Sequence, residues 1–518
     1  MSNKIDESYR IALSHISVAA YDGDSFKKRM ELRNKLKTLT FDGCDAFLSA
    51  VRTQGGFFMI TEDVSKNGAN SRRRQLLRVG GGMFGIPFFG SSSENSDAQA
   101  ATPPKQKGQT GPTNEIVKIV NGMKRRRLGG SDIFVSELGL GTQRWVSTDF
   151  NAPDKDLCFQ FMDEAILKRG VNLIDTAEQY PIPSDGKRAS EGDTERVIGD
   201  WMKDRKVPRS DVVISTKITG GRNVTPRNIQ KDCEDSLKRL RTDYIDVYLL
   251  HWPQRYSPQS NWGQSLKYNL AYDTQSRKLL GDPTSFEDLC LAMEKLVQQG
   301  KIRGWGLCND NAYGLTACSR TAKMLGTTPP CTMQGDFSIL DRKSEENGVA
   351  EAASPFWENT GFMAYNALAG GMLTGKYLEI PAALDDPDRT RAMATQARPR
   401  GRMDERGWGG TLYRYRSEPA QEAILEYNKL AKANKMSLTE LSLRWCKQRE
   451  LITTTLLGHT SMDQLKESLD FLTRKEDLSP ELMWEIDRIH MRNRLPIFSS
   501  YHVGKDWYGE GEIGEPIP

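Results

Sequence analysis

From about Met123 the sequence predicts an α/β chain folded as a (β/α)8 TIM barrel with long loop insertions, behind a largely irregular N-terminal extension. Three observations predict it. Eight short runs rich in Val, Ile and Leu alternate with eight longer segments of helical period, the pattern of parallel strands joined by crossover helices. The first run, SELGLGTQRW, carries no G-x-G-x-x-G, the fingerprint that a doubly wound dinucleotide fold normally shows after its first strand. Several runs also stop on unusual polar residues, as strands do when their C-terminal ends build a barrel mouth.

The strands are read at VSELGLG, VNLID, DVVIST, YIDVYLL, IRGWGL, CTMQ, FMAYNA and ITTTLL. Helices are read at DLCFQFMDEAILKRG, SEGDTERVIGDWMKDR, TPRNIQKDCEDSLKRLRTD, SFEDLCLAMEKLVQQGK, AYGLTACSRTAKML, VAEAASPFWENT, EPAQEAILEYNKLAKANK and SMDQLKESLDFL. Ile229, Cys233, Leu237 and Leu240 recur at spacings of four, four and three, one apolar stripe for packing on a sheet. Gly170, Gly300, Gly326 and Gly361 stand where helices should stop, because the left-handed residue that closes a helix is least strained as glycine. Two long insertions interrupt the alternation. Residues 256–285 hold Trp262, Tyr268 and Tyr272, and residues 374–417 are rich in Arg and Gly; long loops at a barrel mouth are usually functional.

The chain divides by composition into an N-terminal extension (1–70), weakly helical or disordered, a basic and apolar segment with a linker (71–122), the barrel (123–495) and a C-terminal tail (496–518). Within 71–101, Arg72, Arg73 and Arg74 precede a modest apolar stretch, and Ala98-Gln99-Ala100 offers small residues two apart. That order resembles a twin-arginine export signal, and the expected location is cytoplasmic or plastid. A net charge of +4 on 518 residues gives no electrostatic case for nucleic acid as partner. No run reaches the ~18 apolar residues of a membrane span, so stable membrane insertion is not expected. The eight cysteines are widely spaced with no C-x-x-C, which reads as reduced thiols rather than a disulfide framework or metal site.

The polar strand ends carry the chemistry. Asp175 closes VNLID, Lys217 closes VVISTK, and His251, one of five histidines, closes VYLLH. Each alone has an ordinary explanation as a helix cap, a snorkelling lysine or a satisfied core histidine; three on successive strands point to a site. Tyr180 follows Asp175 by five residues. A phenol of pKa about 10 donates a proton poorly at neutral pH unless a neighbouring ammonium lowers that value. A carboxylate would hold the lysine charged, and an imidazole could orient a carbonyl. The four make a set for general acid–base work on a carbonyl or alcohol, and no metal site.

These residues sit in motifs that resemble the aldo-keto reductase family. KRRRLGGSDIFVSELGLGT, NLIDTAEQYP, ISTKI, DSLKRLRTDYIDVYLLHWPQ, GKIRGWGLCN, AYNALAGGMLTGKY and TTTLLGHTSMDQL occur in the family's order, and AEQYPIPS with HWPQR is similar to its bacterial Tas-type branch. The resemblance implies that Asp175, Tyr180, Lys217 and His251 form a catalytic tetrad and that NADP(H) lies extended on the barrel mouth. By motif match Gly141, Thr142 and Gln143 would line the nicotinamide end together with Asp175, Asn309 and Gln334 would hold the carboxamide, and Tyr365 would stack on the ring. Gly458 and Thr460 would meet phosphate at a helix N-terminus, which favours anions, while Gln464, Glu467 and Ser468 would contact the 2′-phosphate and adenine. Cys308 stands where the family has serine, which puts one hydrogen bond in question. The Arg-rich insertion is a candidate clamp for the NADP phosphates. The activity implied is NADPH-dependent reduction of a small-molecule aldehyde or ketone; the alternative is an NADP(H)-binding sensor or regulatory subunit on the same fold.

Overall fold

The computed structural model describes residues 58–60, 75–77, 110–149, 151–182, 191–257, 268–378, 401–402, 415, 417–494 and 496–498. Most of the N-terminal extension and of the twin-arginine-like segment, Trp262, most of the second insertion and the tail beyond Phe498 lie outside the described residues. The chain divides into two units, Met1–Ala101 and Thr102–Pro518. In the first, β1 (Phe58–Ile60) and β2 (Gln75–Leu77) pair antiparallel.

In the second, β6 (Leu138–Gly141), β7 (Leu173–Asp175), β8 (Val213–Ile218), β9 (Ile245–Leu250), β10 (Ile302–Cys308), β11 (Thr332–Asp336), β12 (Gly361–Tyr365) and β13 (Thr454–Leu457) form a closed parallel barrel. Each strand pairs with the next in the chain, and β13 returns to β6 with Thr455 opposite Leu138 and Leu457 opposite Leu140. All eight lie within the predicted runs or a residue or two beyond them. Their apolar, β-branched composition suits strands buried on both faces.

An antiparallel sheet of β3 (Ile116–Val120), β4 (Met123–Arg127) and β5 (Phe134–Ser136) precedes the barrel. Leu128 and Ile133, from the turn between β4 and β5, bury against Leu173, Val213, Val247, Leu249, Met363 and Leu456. These side chains fill one end of the barrel, so it is a packed core and not a pore. The boundary read between residues 122 and 123 therefore falls inside a hairpin. Thr113 N–H already donates to Asn359 Oδ1 at 2.7 Å, and the polar composition around β3, whose Ile116 and Ile119 stay exposed, had read as linker.

The helices cover the outside. They are α1 (Lys155–Met162, continuing in wider π turns over Asp163–Lys168), α2 (Asp193–Asp204), α3 (Pro226–Leu240), α4 (Leu270–Leu280), α5 (Phe286–Gln298), α6 (Ala312–Leu325), α7 (Lys343–Glu346), α8 (Val349–Ala353), α9 (Glu418–Ala433), α10 (Leu438–Lys447), α11 (Met462–Thr473) and α12 (Pro480–Arg492). Ile229, Cys233 and Leu240 of the α3 stripe are buried, with Leu237 packed at its margin. Three expectations change. The helix read over 349–360 stops at Ala353 because Ser354 precedes Pro355 and takes ψ 155°, the extended geometry that proline imposes on the residue before it. Gly361 opens β12 instead of closing a helix; a Cβ there would stand 2.9 Å from Gly129 N, so close strand packing requires the glycine. Helices α4, α7, α10 and α12 were not predicted. All ten residues of α10 are buried, which erases the one-sided stripe by which a surface helix is recognised.

Candidate active site

The barrel brings the polar strand ends to one mouth. Asp175 is the last residue of β7, Lys217 the penultimate residue of β8, and His251 the first residue past β9. Lys217 is fully buried. Its ammonium donates to Asp175 Oδ2 at 2.6 Å and to the Thr176 carbonyl at 2.7 Å, and it lies 5.1 Å from the centre of the Tyr180 ring. The other Asp175 oxygen accepts from Ser215 Oγ at 2.9 Å and Gln334 Nε2 at 2.8 Å. Tyr180 meets His251 edge-on, with ring centres 5.6 Å apart and planes at 75°, and Trp252 stacks on the imidazole at 17°.

Burial sets the protonation states. It pushes the Tyr180 phenol up to about 12; the Lys217 charge pulls the other way and Asp175 adds to the rise. The Lys217 charge acts on the phenol in the expected direction, but desolvation of the phenolate outweighs the ammonium. Lys217 is itself drawn down by burial, but Asp175, with Tyr180 and Cys308 beside it, more than compensates and holds it above the usual lysine value, so it is charged at neutral pH. His251 falls well below its usual value through burial and the Lys217 charge, and is neutral. Its buried Nδ1 has no hydrogen-bond partner among the described residues.

A single groove of about 520 Å3 runs across the mouth. Asp175, Tyr180 and His251 line it with every residue matched to the cofactor: Gly141, Thr142, Gln143, Asn309, Gln334, Tyr365, Gly458, Thr460, Gln464, Glu467 and Ser468. Lys217 sits beneath. Thr142 donates from both its backbone N–H and its hydroxyl to the Asp175 carbonyl. The two amides are committed inward. Asn309 Nδ2 donates to the His251 carbonyl at 2.9 Å and its Oδ1 accepts from the Tyr365 hydroxyl. Cys308 Sγ lies 3.5 Å from Gln334 Oε1 and accepts from Asn309 Nδ2 at 3.3 Å. The thiol thus bridges the two amides, with the long reach of sulfur.

The far end of the groove is the start of α11. Ser461 caps it by accepting from the Gln464 N–H at 3.3 Å, and Gln464 Oε1 accepts from the Thr460 N–H at 2.9 Å. His459, which burial lowers to about 4, contacts Ser468 Oγ at 3.2 Å. Between the ends, the turn after β12 passes through Gly370 (φ 64°) and Gly371 (φ 99°), conformations that a side chain would strain. These glycines and Lys376 line the groove.

Sequence reasoning missed several lining residues. Arg144 and Trp145 directly follow the matched Gly-Thr-Gln, and Trp252 follows His251, so proximity in sequence was the available signal. Arg402 belongs to the Arg-rich insertion and donates from Nη2 to Gln143 Oε1 at 2.9 Å. It stands at the Tyr180 end of the groove. Glu178, two residues before Tyr180, accepts from the Thr219 N–H, and burial lifts its carboxyl to about 7.

Comparison with known proteins identifies the family. The "Protein tas" sequences of Escherichia coli (strain K12) and Shigella flexneri are each 31% identical over 389 residues, covering 72% of this chain and 99% of theirs. An "Aldo-keto reductase" of Babesia bovis is 33% identical over 302 residues, 56% of this chain and 99% of its own. The model of the aldo/keto reductase family matches residues 137–490, from the residue before β6 to the last turn of α12. The chain is therefore an oxidoreductase fold with a complete barrel and its mouth, and it belongs to the aldo/keto reductase family.

Proposed function

We propose that the protein is an NADPH-dependent carbonyl reductase that converts an aldehyde or ketone to an alcohol with Tyr180 as general acid. The observation that carries the reading is the Asp175–Lys217–Tyr180 arrangement. A buried ion pair is seldom retained for stability, since apolar replacements often serve as well; an ammonium fixed beneath a phenol has a use when that phenol must give up a proton. At neutral pH the phenol raised to about 12 is protonated. The Lys217 charge then stabilises the phenolate left behind as the proton passes to the carbonyl oxygen. Asp175 keeps Lys217 charged and aimed. His251, neutral, orients the carbonyl oxygen by a hydrogen bond, and its orphaned Nδ1 is an atom that a ligand would satisfy.

The donor set also fits an extended dinucleotide. The groove offers the Tyr365 ring for stacking, Asn309 and Gln334 for an amide, and the α11 N-terminus with Gly458, Thr460 and Lys376 for phosphate. Gln464, Glu467 and Ser468 are assigned to the 2′-phosphate and adenine. When bound, NADPH supplies the hydride delivered to the carbonyl carbon.

The test is a Tyr180→Phe variant assayed on a panel of small aldehydes with NADPH and NADH. NADPH affinity should stay within about threefold while kcat falls by at least ~100-fold. Unchanged turnover would remove Tyr180 as the acid. Tight NADPH binding by the native chain with no carbonyl consumed would favour the regulatory-subunit reading.

A further inference from the structure

The loop that carries Tyr180 is fastened along β8. Thr176 N–H donates to the Ser215 carbonyl at 2.8 Å and Glu178 N–H to the Lys217 carbonyl at 3.2 Å, so the chain beyond Asp175 stays in register with the strand that holds the lysine. The Glu178 carboxylate then reaches past the end of β8 and accepts from the Thr219 N–H. The carbonyl of that same peptide unit, on Ile218, accepts from the His251 N–H at 3.1 Å. One peptide group is thus held on its nitrogen side by the Tyr180 loop and on its oxygen side by His251. Hydrogen bonds that share a peptide group polarise one another, and a carboxylate acceptor strengthens the chain because its bond is charge-assisted.

A carboxylate is a destabilising choice for that place. Burial lifts the Glu178 carboxyl to about 7 against the Thr219 hydrogen bond, and Asp232 on α3 and Glu195 on α2 add to the rise. The other titratable groups that feel its charge are Arg239 on α3, itself paired with Glu195, and Tyr248 on β9. A glutamine would offer the same carbonyl oxygen to Thr219 with no charge to desolvate. Positions that give up stability in this way commonly serve activity. Glu178 does not line the groove, so its service runs through the residues that it holds.

We propose that Glu178 is a positioning residue, whose carboxylate fixes the Tyr180 loop and the His251 backbone to the end of β8. This rests on the carbonyl-reductase reading. The phenol must meet the carbonyl oxygen while His251 holds the same atom, and a slip of the loop relative to β9 parts the two donors. With Glu178 ionised, the Thr219 bond is charge-assisted and the Tyr180 and His251 rings keep their edge-on spacing. With Glu178 protonated, the bond is an ordinary one and the loop loosens, so turnover falls as pH drops through about 7.

The experiment measures kcat and KM of the full chain for 4-nitrobenzaldehyde with NADPH from about pH 5.5 to 8.5, in the native protein, Glu178→Gln and Glu178→Ala. Native kcat should rise ~10-fold over this range, the difference between a charge-assisted and an ordinary hydrogen bond, with its midpoint near the Glu178 value of about 7. Glu178→Gln should be flat and ~10-fold below native at pH 8, and Glu178→Ala ~100-fold below, each with KM and NADPH affinity within about twofold of native. Amide hydrogen exchange read by mass spectrometry at pH 8 needs no turnover. In Glu178→Gln it should quicken at Thr219 and over residues 176–182 and not in the helices, where a merely destabilised protein would also open. A Glu178→Gln kcat within twofold of native at pH 8, an inflection near 7 that survives in that variant, a loss confined to KM, or unchanged exchange at Thr219 overturns the proposal. If the native chain reduces neither this aldehyde nor any other in the panel, yet exchange quickens at those two segments, the reductase reading fails and the fastening by Glu178 stands.

Discussion

Replacing Asp175 by Asn tests the coupling on which the site depends. At 2.6 Å and an effective dielectric constant of about 20, the Asp175–Lys217 attraction is roughly 6 kcal/mol before desolvation. Removing one partner of a buried pair typically costs ~3–5 kcal/mol, because the other charge is stranded. Of the two partners bonded to the Lys217 ammonium, only the Thr176 carbonyl would remain. Burial, the first cause that acts on Lys217, would then draw its ammonium down, and with it the influence that opposes the rise of Tyr180 would weaken. Asp175→Asn should lower stability by ~3–5 kcal/mol in equilibrium urea unfolding and reduce kcat ~100-fold or more. Lys217→Met should do the same. The double variant strands no charge and should be less destabilised than the sum of the singles by ~3 kcal/mol. Stabilities that add to within ~0.5 kcal/mol, or a kcat within twofold of native in either single variant, would refute the argument.

The remaining predictions concern titration and the insertion contacts. Glu178 is protonated more readily folded than unfolded, its carboxyl rising from 4.5 to about 7, so stability falls as pH rises from about 4.5 to 7 and is flat beyond. Glu178→Gln should therefore gain up to ~3 kcal/mol at pH 8 and little at pH 4, by urea unfolding at each pH; no gain at pH 8 would dismiss the shift. His251, held neutral, should contribute no inflection to kcat between pH 6 and 8, and any inflection near 7 should vanish in Glu178→Gln but persist in His251→Gln. Cys308, pushed up to about 12 by burial, should resist alkylation by iodoacetamide at pH 8, read by mass spectrometry of the peptide. Arg255 forks onto Asp310 at 2.7 and 3.0 Å and lies over the Phe286 and Tyr313 rings; Arg255→Ala should cost ~3 kcal/mol and weaken NADPH binding through the adjacent Asn309, measured by fluorescence titration.

The barrel was legible because each strand is apolar on both faces and each ends at the same mouth. Asp175, Lys217 and His251 are conspicuous for that reason: a polar residue that closes a buried strand has few places to go except the convergence of eight such ends. Helix α10 was illegible because burial on every side leaves no period to find. Strand β3 was illegible because an edge strand with Ile116 and Ile119 exposed looks like any mixed segment. The sign of the Tyr180 shift lies beyond local reading altogether. It depends on how completely the closed mouth excludes water from the phenol, while the sequence shows only that an ammonium can come near. Arg402 presented a different difficulty: its insertion has no period, so nothing in the run of arginines announced that Arg402 reaches Gln143.

The charges at the catalytic end concentrate their effect on the chemical step. Under the proposed reaction, the oxygen that becomes negative as a carbonyl is reduced would lie between a protonated phenol and a neutral imidazole, with Lys217 behind the phenol. Neutral donors attract a ground-state carbonyl weakly and a developing alkoxide strongly, so their effect is concentrated in the transition state. Substitutions in the tetrad should therefore appear in kcat rather than in KM. Asp175, Lys217 and His251 stand on or directly after β7, β8 and β9, whose parallel pairing holds them in register, so the barrel itself keeps the spacing of the ammonium, the carboxylate and the imidazole.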